Sequence, residues 1–397
     1  MLGDFSEKVF PLSINIAILV SMKTYKISDI KMRVLGRTVP VEAGKPLTLF
    51  WAASALELNV KASEVHLLLS ADYETSEPWV SVYINGSPLS RFMIEKGEPK
   101  WVCLARNLNP EKENLITIYK DTQPMTGEAR HSLFIHEVGL SDSGEFCDLE
   151  PRQLKLEFVG DSITSGEGLA GGPDEMDWIT QWFAGSGTYA ARTARALNAD
   201  FSVLSQCGWG ICWGWDGDRN SRMPAYYEEV CGVAWGDYQK SLGAQNKWNF
   251  NDGSDFVVIN LGTNDNGAFF QPPWKEKEFG DKYRLNLNAD GTICTHDSHE
   301  IITGVKDFLK KVRHYNPKAI IIWCWGMIKL DLLPSLIQEA VDEYIEESND
   351  LRVCTLEFDS MEEVEKCKED KGSRGHPGPK THIVAAERLI EFIKKLY

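Results

Sequence analysis

Residues 156–168 read LEFVGDSITSGEG, an apolar run that meets Gly160-Asp161-Ser162 and continues into small residues. A serine at a strand end, on a glycine-flanked turn that opens a helix, is placed for nucleophilic attack. The turn exposes the hydroxyl, and the helix N-terminus offers backbone N–H groups to a developing oxyanion. Ser162 is therefore the candidate nucleophile, against the plainer reading of a turn serine that caps a helix. Its hydroxyl must lose a proton as it attacks, so it needs a base within hydrogen-bond reach. His376, in Gly375-His376-Pro377, is the candidate base, because imidazole titrates near neutral pH. Gly375 permits a tight approach and Pro377 fixes the chain just after it. A surface-loop histidine is the competing reading. A third stretch, DFVVINLGTND at 255–265, ends a buried-type strand in Gly262-Thr263-Asn264-Asp265.

These residues need a scaffold that brings three element ends together. From about residue 150 the sequence alternates strand and helix. Strands are expected at 154–159, 201–204, 256–261, 319–323 and 351–355, and helices around 186–197, 301–314, 333–347 and from 381 to the end. That alternation predicts a parallel sheet with helices on both faces. In such sheets ligands bind beyond the carboxyl ends of the strands, where Ser162, Asn264 and His376 would meet. Residues 28–145 behave differently. Leu56, Leu58 and Val60 alternate with Glu57, Asn59 and Lys61, and Val80–Ile84 runs into Asn85-Gly86, a hairpin turn pair. Further short strands are expected at 65–69, 101–104, 115–119 and 133–138. Many short strands without a helical period predict a β-sandwich of jelly-roll type. The expected division is a β-sandwich over 1–150 and a catalytic domain over 151–397, as the 397-residue length suggests.

The net charge of −16 opposes nucleic acid and anionic membrane as partners. Nine cysteines, an odd number without paired CxxC spacing, suggest free thiols in a reducing compartment, and hence a cytoplasmic protein. Residues 10–22, FPLSINIAILVSM, follow Asp4 and Glu7 rather than a basic cluster and are too short to span a bilayer. They are expected to form a strand or a packed segment.

The set GDSI, GTND and a late His-Pro resembles the SGNH (GDSL-type) hydrolase superfamily. A β-sandwich followed by LKLEFVGDSITSGEG, with TYAARTARALNAD after it, resembles carbohydrate esterase family 2, the acetyl xylan esterase-like group. The resemblance runs from about Val34 to the end. It implies a flavodoxin-like catalytic domain that removes acetyl groups from sugars without a cofactor. By it, Asn264 is a side-chain oxyanion donor, able to offer N–H at any pH. Gly208, in LSQCGWG, is the backbone donor, with Gly210 as competitor, and the Ser162 N–H completes the hole.

The sequence departs from that pattern at the third triad member. Three and two residues before His376 stand Ser373 and Arg374, neither a carboxylate. Either the site is a Ser–His dyad oriented by a backbone carbonyl, or Asp370 or Glu369 reaches in. Among Trp209, Trp213, Trp215 and Trp235, the pair Trp213 and Trp215 is expected on an exposed loop that stacks on sugar rings, against the reading of core packing. Residues 266–299 form an expected loop insertion, a cleft wall or subunit contact. Its His296-Asp297-Ser298-His299 lacks a third ligand at recognisable spacing, so no metal is expected. The resulting expectation is an esterase acting on an acetylated sugar or oligosaccharide, with homo-oligomerisation open. A lipase or thioesterase, or a glycan-binding protein with a weakened site, are the alternatives.

Overall fold

A computed structural model of the chain describes residues 22–251, 253–276, 280, 282–362 and 370–397. Apart from Met22, the 10–22 segment lies outside the described residues, as does Glu369.

Residues 22–146 supply two antiparallel sheets. One orders Met22–Lys26, Ser132–Ser141, Glu64–Asp72 and Lys100–Arg106, with Leu47–Leu49 also paired to Ser132–Ser141. The other orders Glu145–Phe146, Ala55–Lys61, Asn114–Lys120, Trp79–Ile84 and Ser87–Met93, with Arg33–Leu35 on Ala55–Lys61. The alternation noted in the sequence buries Leu56, Leu58 and Val60 against Leu67, Ile135 and Leu140 of the facing sheet, forming one apolar core. Asn85 and Gly86 both adopt positive φ (51° and 80°) and join Ile84 to Ser87 as a two-residue hairpin.

The remainder is built on a five-stranded parallel sheet. Its order is Ala199–Ser205, Leu154–Gly160, Phe256–Asn260, Ile320–Trp325 and Val353–Glu357. Strand 256–260 shows why it must be covered on both faces. Val257 and Ile259 pack with Val305, Phe308 and Val341 from helices Thr295–Tyr315 and Pro334–Ser348. Phe256 and Val258 pack with Ala190, Ala194 and Leu389 from helices Tyr189–Ala196 and Pro379–Leu396. The order of connections reverses between the first strand and its two neighbours, and at such a switch point the carboxyl ends open a crevice.

One expectation needs correction. The 266–299 insertion is not all loop: it holds a short hairpin, Trp274–Lys275 with Lys282–Tyr283, and the long helix already starts at Thr295. His296 and His299 therefore lie in the first turns of a helix. Short strands at 33–35 and 47–49 escaped the sequence pattern, because three residues give no readable period, whereas 87–93 is the partner that the Asn85-Gly86 hairpin implies.

The two halves are locked by buried polar contacts. Arg37, fully buried, pairs with Glu157 at 2.8 Å and donates to the Glu229 carbonyl at 3.0 Å. The Trp51 indole donates to the Val230 carbonyl at 2.6 Å.

Candidate active site

Strand 154–160 ends at Gly160, where a Cβ would stand 2.1 Å from Thr164 Oγ1, so only glycine permits the tight exit. Asp161 then caps a short helix, Ser162–Ser165, by accepting the Ile163 N–H at 3.0 Å. Burial holds the Asp161 carboxyl up at about 7. The turn presents Ser162 Oγ 2.9 Å from His376 Nε2. His376 follows a short turn, Ser373–Gly375, whose Ser373 N–H donates to the Gly168 carbonyl at 2.9 Å. The loop carrying the imidazole is thus pinned to the segment that carries the serine.

The loop after strand 199–205 approaches from the other side. The Gly208 carbonyl accepts the Trp215 N–H at 2.9 Å, and its own N–H has no protein acceptor among the described residues. Gly208 holds φ 76°, and a Cβ there would lie 2.8 Å from Trp215 Cδ1. The Gly210 N–H is instead spent on the Ser221 carbonyl at 3.1 Å. Of the two glycines, Gly208 lines the cleft, and its N–H is the one without a protein acceptor among the described residues. Asn264 opens toward the same space, with Nδ2 donating to the Trp209 carbonyl at 2.8 Å. A primary amide has two N–H groups, so one stays available. Asp265 behind it accepts the N–H groups of Ile211 (2.8 Å), Cys212 (2.8 Å) and Trp213 (3.3 Å). That carboxylate, pushed up to about 6 by burial, holds the far end of the 207–213 loop.

Among the described residues neither a backbone carbonyl nor Asp370 orients His376, and Glu369 lies outside them. Asp370 accepts the N–H and hydroxyl of Thr381 at 2.7 and 3.0 Å, tying the start of the last helix. Its carboxylate is engaged there. The imidazole Nδ1 is buried and has no hydrogen-bond partner, carbonyl or carboxylate, among the described residues. A carboxylate that the sequence reading missed stands on the opposite side. Glu167 Oε2 lies 3.6 Å from His376 Nε2, while its Oε1 pairs with Arg374 Nε at 3.2 Å. The available signal was an acid five residues after Ser162, inside GDSITSGEG itself.

These groups share a cleft of about 580 Å³ with residues from the antiparallel half, among them Thr75, Gln123, Thr126 and Glu128. Trp215, 52% exposed, and Trp178 stand at its walls. Trp213 does not: it is fully buried, edge-on to Phe269, with its indole N–H directed to the Asp265 carbonyl. The expectation that it stacks on a sugar is corrected, because the Asp265 network draws the 211–213 segment inward. Trp209 packs against Tyr226 and Trp235 donates to the Thr126 carbonyl. A second cavity of about 650 Å³ lies behind the same loop, lined by Ile211, His296, His299 and Lys311. Ligand atoms of His296, Asp297 and Glu300 lie within 4.8 Å of one another. Asp297, however, accepts the Asn286 N–H at 2.7 Å and Glu300 pairs with Arg219, so both carboxylates are already engaged.

The profile of the GDSL-like Lipase/Acylhydrolase family matches residues 158–382. Among solved structures, an acetyl xylan esterase, Est2A, from the rumen bacterium Butyrivibrio proteoclasticus is 36% identical. It superposes with a TM-score of 0.89 over 94% of this chain and 99% of that one. A family two carbohydrate esterase from Clostridium thermocellum, in complex with cellohexaose, is 25% identical, with a TM-score of 0.73 over 92% and 99%. The cellulase/esterase CelE of Acetivibrio thermocellus is 29% identical over 87% of this chain, which spans only 37% of that protein. An acetylxylan esterase/glucomannan deacetylase of Cellvibrio japonicus is 23% identical over 63% of this chain and 65% of its own length.

Proposed function

The chain belongs to the GDSL-like lipase/acylhydrolase family, and from that premise we propose that it is a carbohydrate esterase that hydrolyses O-acetyl esters on sugars or oligosaccharides. Ser162 Oγ attacks the acetyl carbonyl as His376 Nε2 takes its proton. The oxyanion is held by the N–H groups of Ser162 and Gly208 and by the free amide N–H of Asn264. His376 returns the proton to the leaving sugar oxygen, and water then hydrolyses the acetyl-Ser162 ester by the same route in reverse. Glu167, the carboxylate paired with the imidazole among the described residues, offsets the charge of the protonated ring. The N-terminal half, read as a jelly roll ending near residue 150, forms one wall of the cleft.

The observation that carries this reading is the 2.9 Å contact between Ser162 Oγ and His376 Nε2 in a cleft that also holds Gly208 and Asn264. The polar wall of Thr75, Thr126 and Glu128 suits sugar hydroxyls better than an acyl chain. That Nδ1 of His376 has no partner among the described residues favours a second reading, glycan binding with weak turnover. Acetate release from p-nitrophenyl acetate and from an acetylated xylo-oligosaccharide, for wild type and Ser162→Ala, separates the two. The esterase reading requires release by wild type, preference for the sugar ester, and loss in the variant. Binding of the oligosaccharide without release selects the second reading.

A further inference from the structure

Lys120-Asp121-Thr122-Gln123 are four consecutive polar residues, none more than 1% exposed. Burying such groups is unfavourable unless they find partners. Lys120 closes strand 114–120 of the antiparallel half, and its Nζ donates to the carbonyls of Phe50 (3.0 Å), Thr122 (2.6 Å) and Gln123 (3.1 Å). Those three bonds fix the turn that follows the strand. Asp121 welds it to the parallel half, accepting the Ser186 N–H on its carboxylate (2.9 Å) and the Gly185 N–H on its carbonyl (3.0 Å). From this fixed turn Gln123 reaches across. Its Oε1 accepts the Cys207 N–H at 2.8 Å and the Ser165 hydroxyl at 3.1 Å. Ser165 ends the helix that Ser162 opens, and Cys207 immediately precedes Gly208.

We propose that Gln123 is a positioning residue for the oxyanion hole, whose amide oxygen sets the Cys207–Gly208 backbone relative to Ser162. This rests on the roles of Ser162 and Gly208 given above. Cys207 and Gly208 lie on consecutive peptide planes, so fixing the first N–H restricts the second. Gly208 has no Cβ to limit its own rotation, so the restraint must come from outside. Oxyanion donors act because they are in place before charge develops, and a loop free to turn would lose that advantage. In this view the antiparallel half completes the catalytic apparatus as well as walling the cleft.

Gln123→Met removes the acceptor at nearly constant shape, and Gln123→Glu keeps an oxygen in place. We expect the Met variant to lose about ten- to a hundredfold in kcat on p-nitrophenyl acetate, with KM changed by less than about threefold. The Glu variant should recover most of that loss. Affinity for phenylboronic acid, which forms a tetrahedral adduct with an oxygen in the hole, should fall in parallel with kcat. Should the Met variant fail to fold, Gln123→Asn, which withdraws the oxygen by one methylene, must show the same kcat loss. Wild-type kcat in the Met or Asn variant, or equal impairment of the Met and Glu variants, overturns the proposal. Ser162→Ala is run alongside. An active Ser162→Ala overturns the site itself, whereas an inactive one beside an unimpaired Gln123→Met overturns only the role of Gln123.

Discussion

His382 should make the protein sensitive to mild acid in a way that one substitution removes. Its ring is fully buried, and Nδ1 accepts the Tyr189 N–H at 3.0 Å, fixing the start of helix Tyr189–Ala196. Burial, with the positive charge of Arg192 nearby, pushes its pKa down from 6.5 to about 3. The folded state therefore keeps His382 neutral where the unfolded chain protonates it. Stability from this group is complete above pH 6.5, declines as pH falls below that value, and is fully lost at about pH 3. One unit is worth about 1.4 kcal/mol, so the loss is about 2 kcal/mol at pH 5 and about 5 kcal/mol at the acid limit. His382→Asn puts an amide oxygen near the place of Nδ1, retains an acceptor for Tyr189, and cannot titrate. Its smaller volume beside the Tyr189 ring should cost about 1–2 kcal/mol at pH 7.5. The deficit should shrink on acidification and vanish near pH 5. Buried His131 and Asp161, which also shift, are present in both proteins and cancel in the difference. Urea unfolding at pH 7.5, 6.5, 5.5 and 5.0 reads this directly. A constant deficit across that range would refute the reasoning.

Three further outcomes follow from contacts already described. Asp265→Asn replaces one acceptor oxygen by an NH2 that faces backbone donors 2.8 Å away. It should cost about 2–4 kcal/mol in denaturant unfolding and lower kcat of the folded enzyme. Full turnover in a folded variant would show that the 211–213 anchor does not position the site. Arg37→Met strands the Glu157 carboxylate in a buried interface between the halves. It should destabilise by about 3–5 kcal/mol with KM unchanged where the variant is folded, and a melting temperature equal to wild type would contradict this. Gly208→Ala forces a Cβ into positive φ and against Trp215 Cδ1. The left-handed conformation costs about 1–2 kcal/mol, and kcat should fall by about tenfold or more as the donor amide is displaced, as initial rates at saturating substrate would report.

The parallel half was readable because its signals are local. LEFVG and DFVVIN are apolar runs that end in Gly160-Asp161-Ser162 and Gly262-Thr263-Asn264, and the strand-helix alternation fixes which ends converge. Period-two alternation likewise exposed the longer antiparallel strands. What escaped depends on partners remote in sequence. The choice between Gly208 and Gly210 turns on an N–H that Ser221 occupies. Trp213 looked loop-exposed beside glycines and an aspartate until Asp265, 52 residues away, drew its backbone inward. Gln123 and Cys207 are 84 residues apart, and their contact has no local signal. Glu167 was missed for a related reason: a carboxylate was sought just before His376, whereas this one approaches Nε2 from the serine's own loop.

The central claim, that Ser162 is the nucleophile of an acetylesterase, is tested most directly by labelling. The protein is treated with a serine-directed fluorophosphonate, the adduct is mapped by mass spectrometry, and acetate release from an acetylated xylo-oligosaccharide is followed in parallel. The account predicts one adduct, on Ser162, formed in step with loss of acetate release and absent from Ser162→Ala. An adduct on another residue, or acetate release that persists in fully labelled protein, would contradict it.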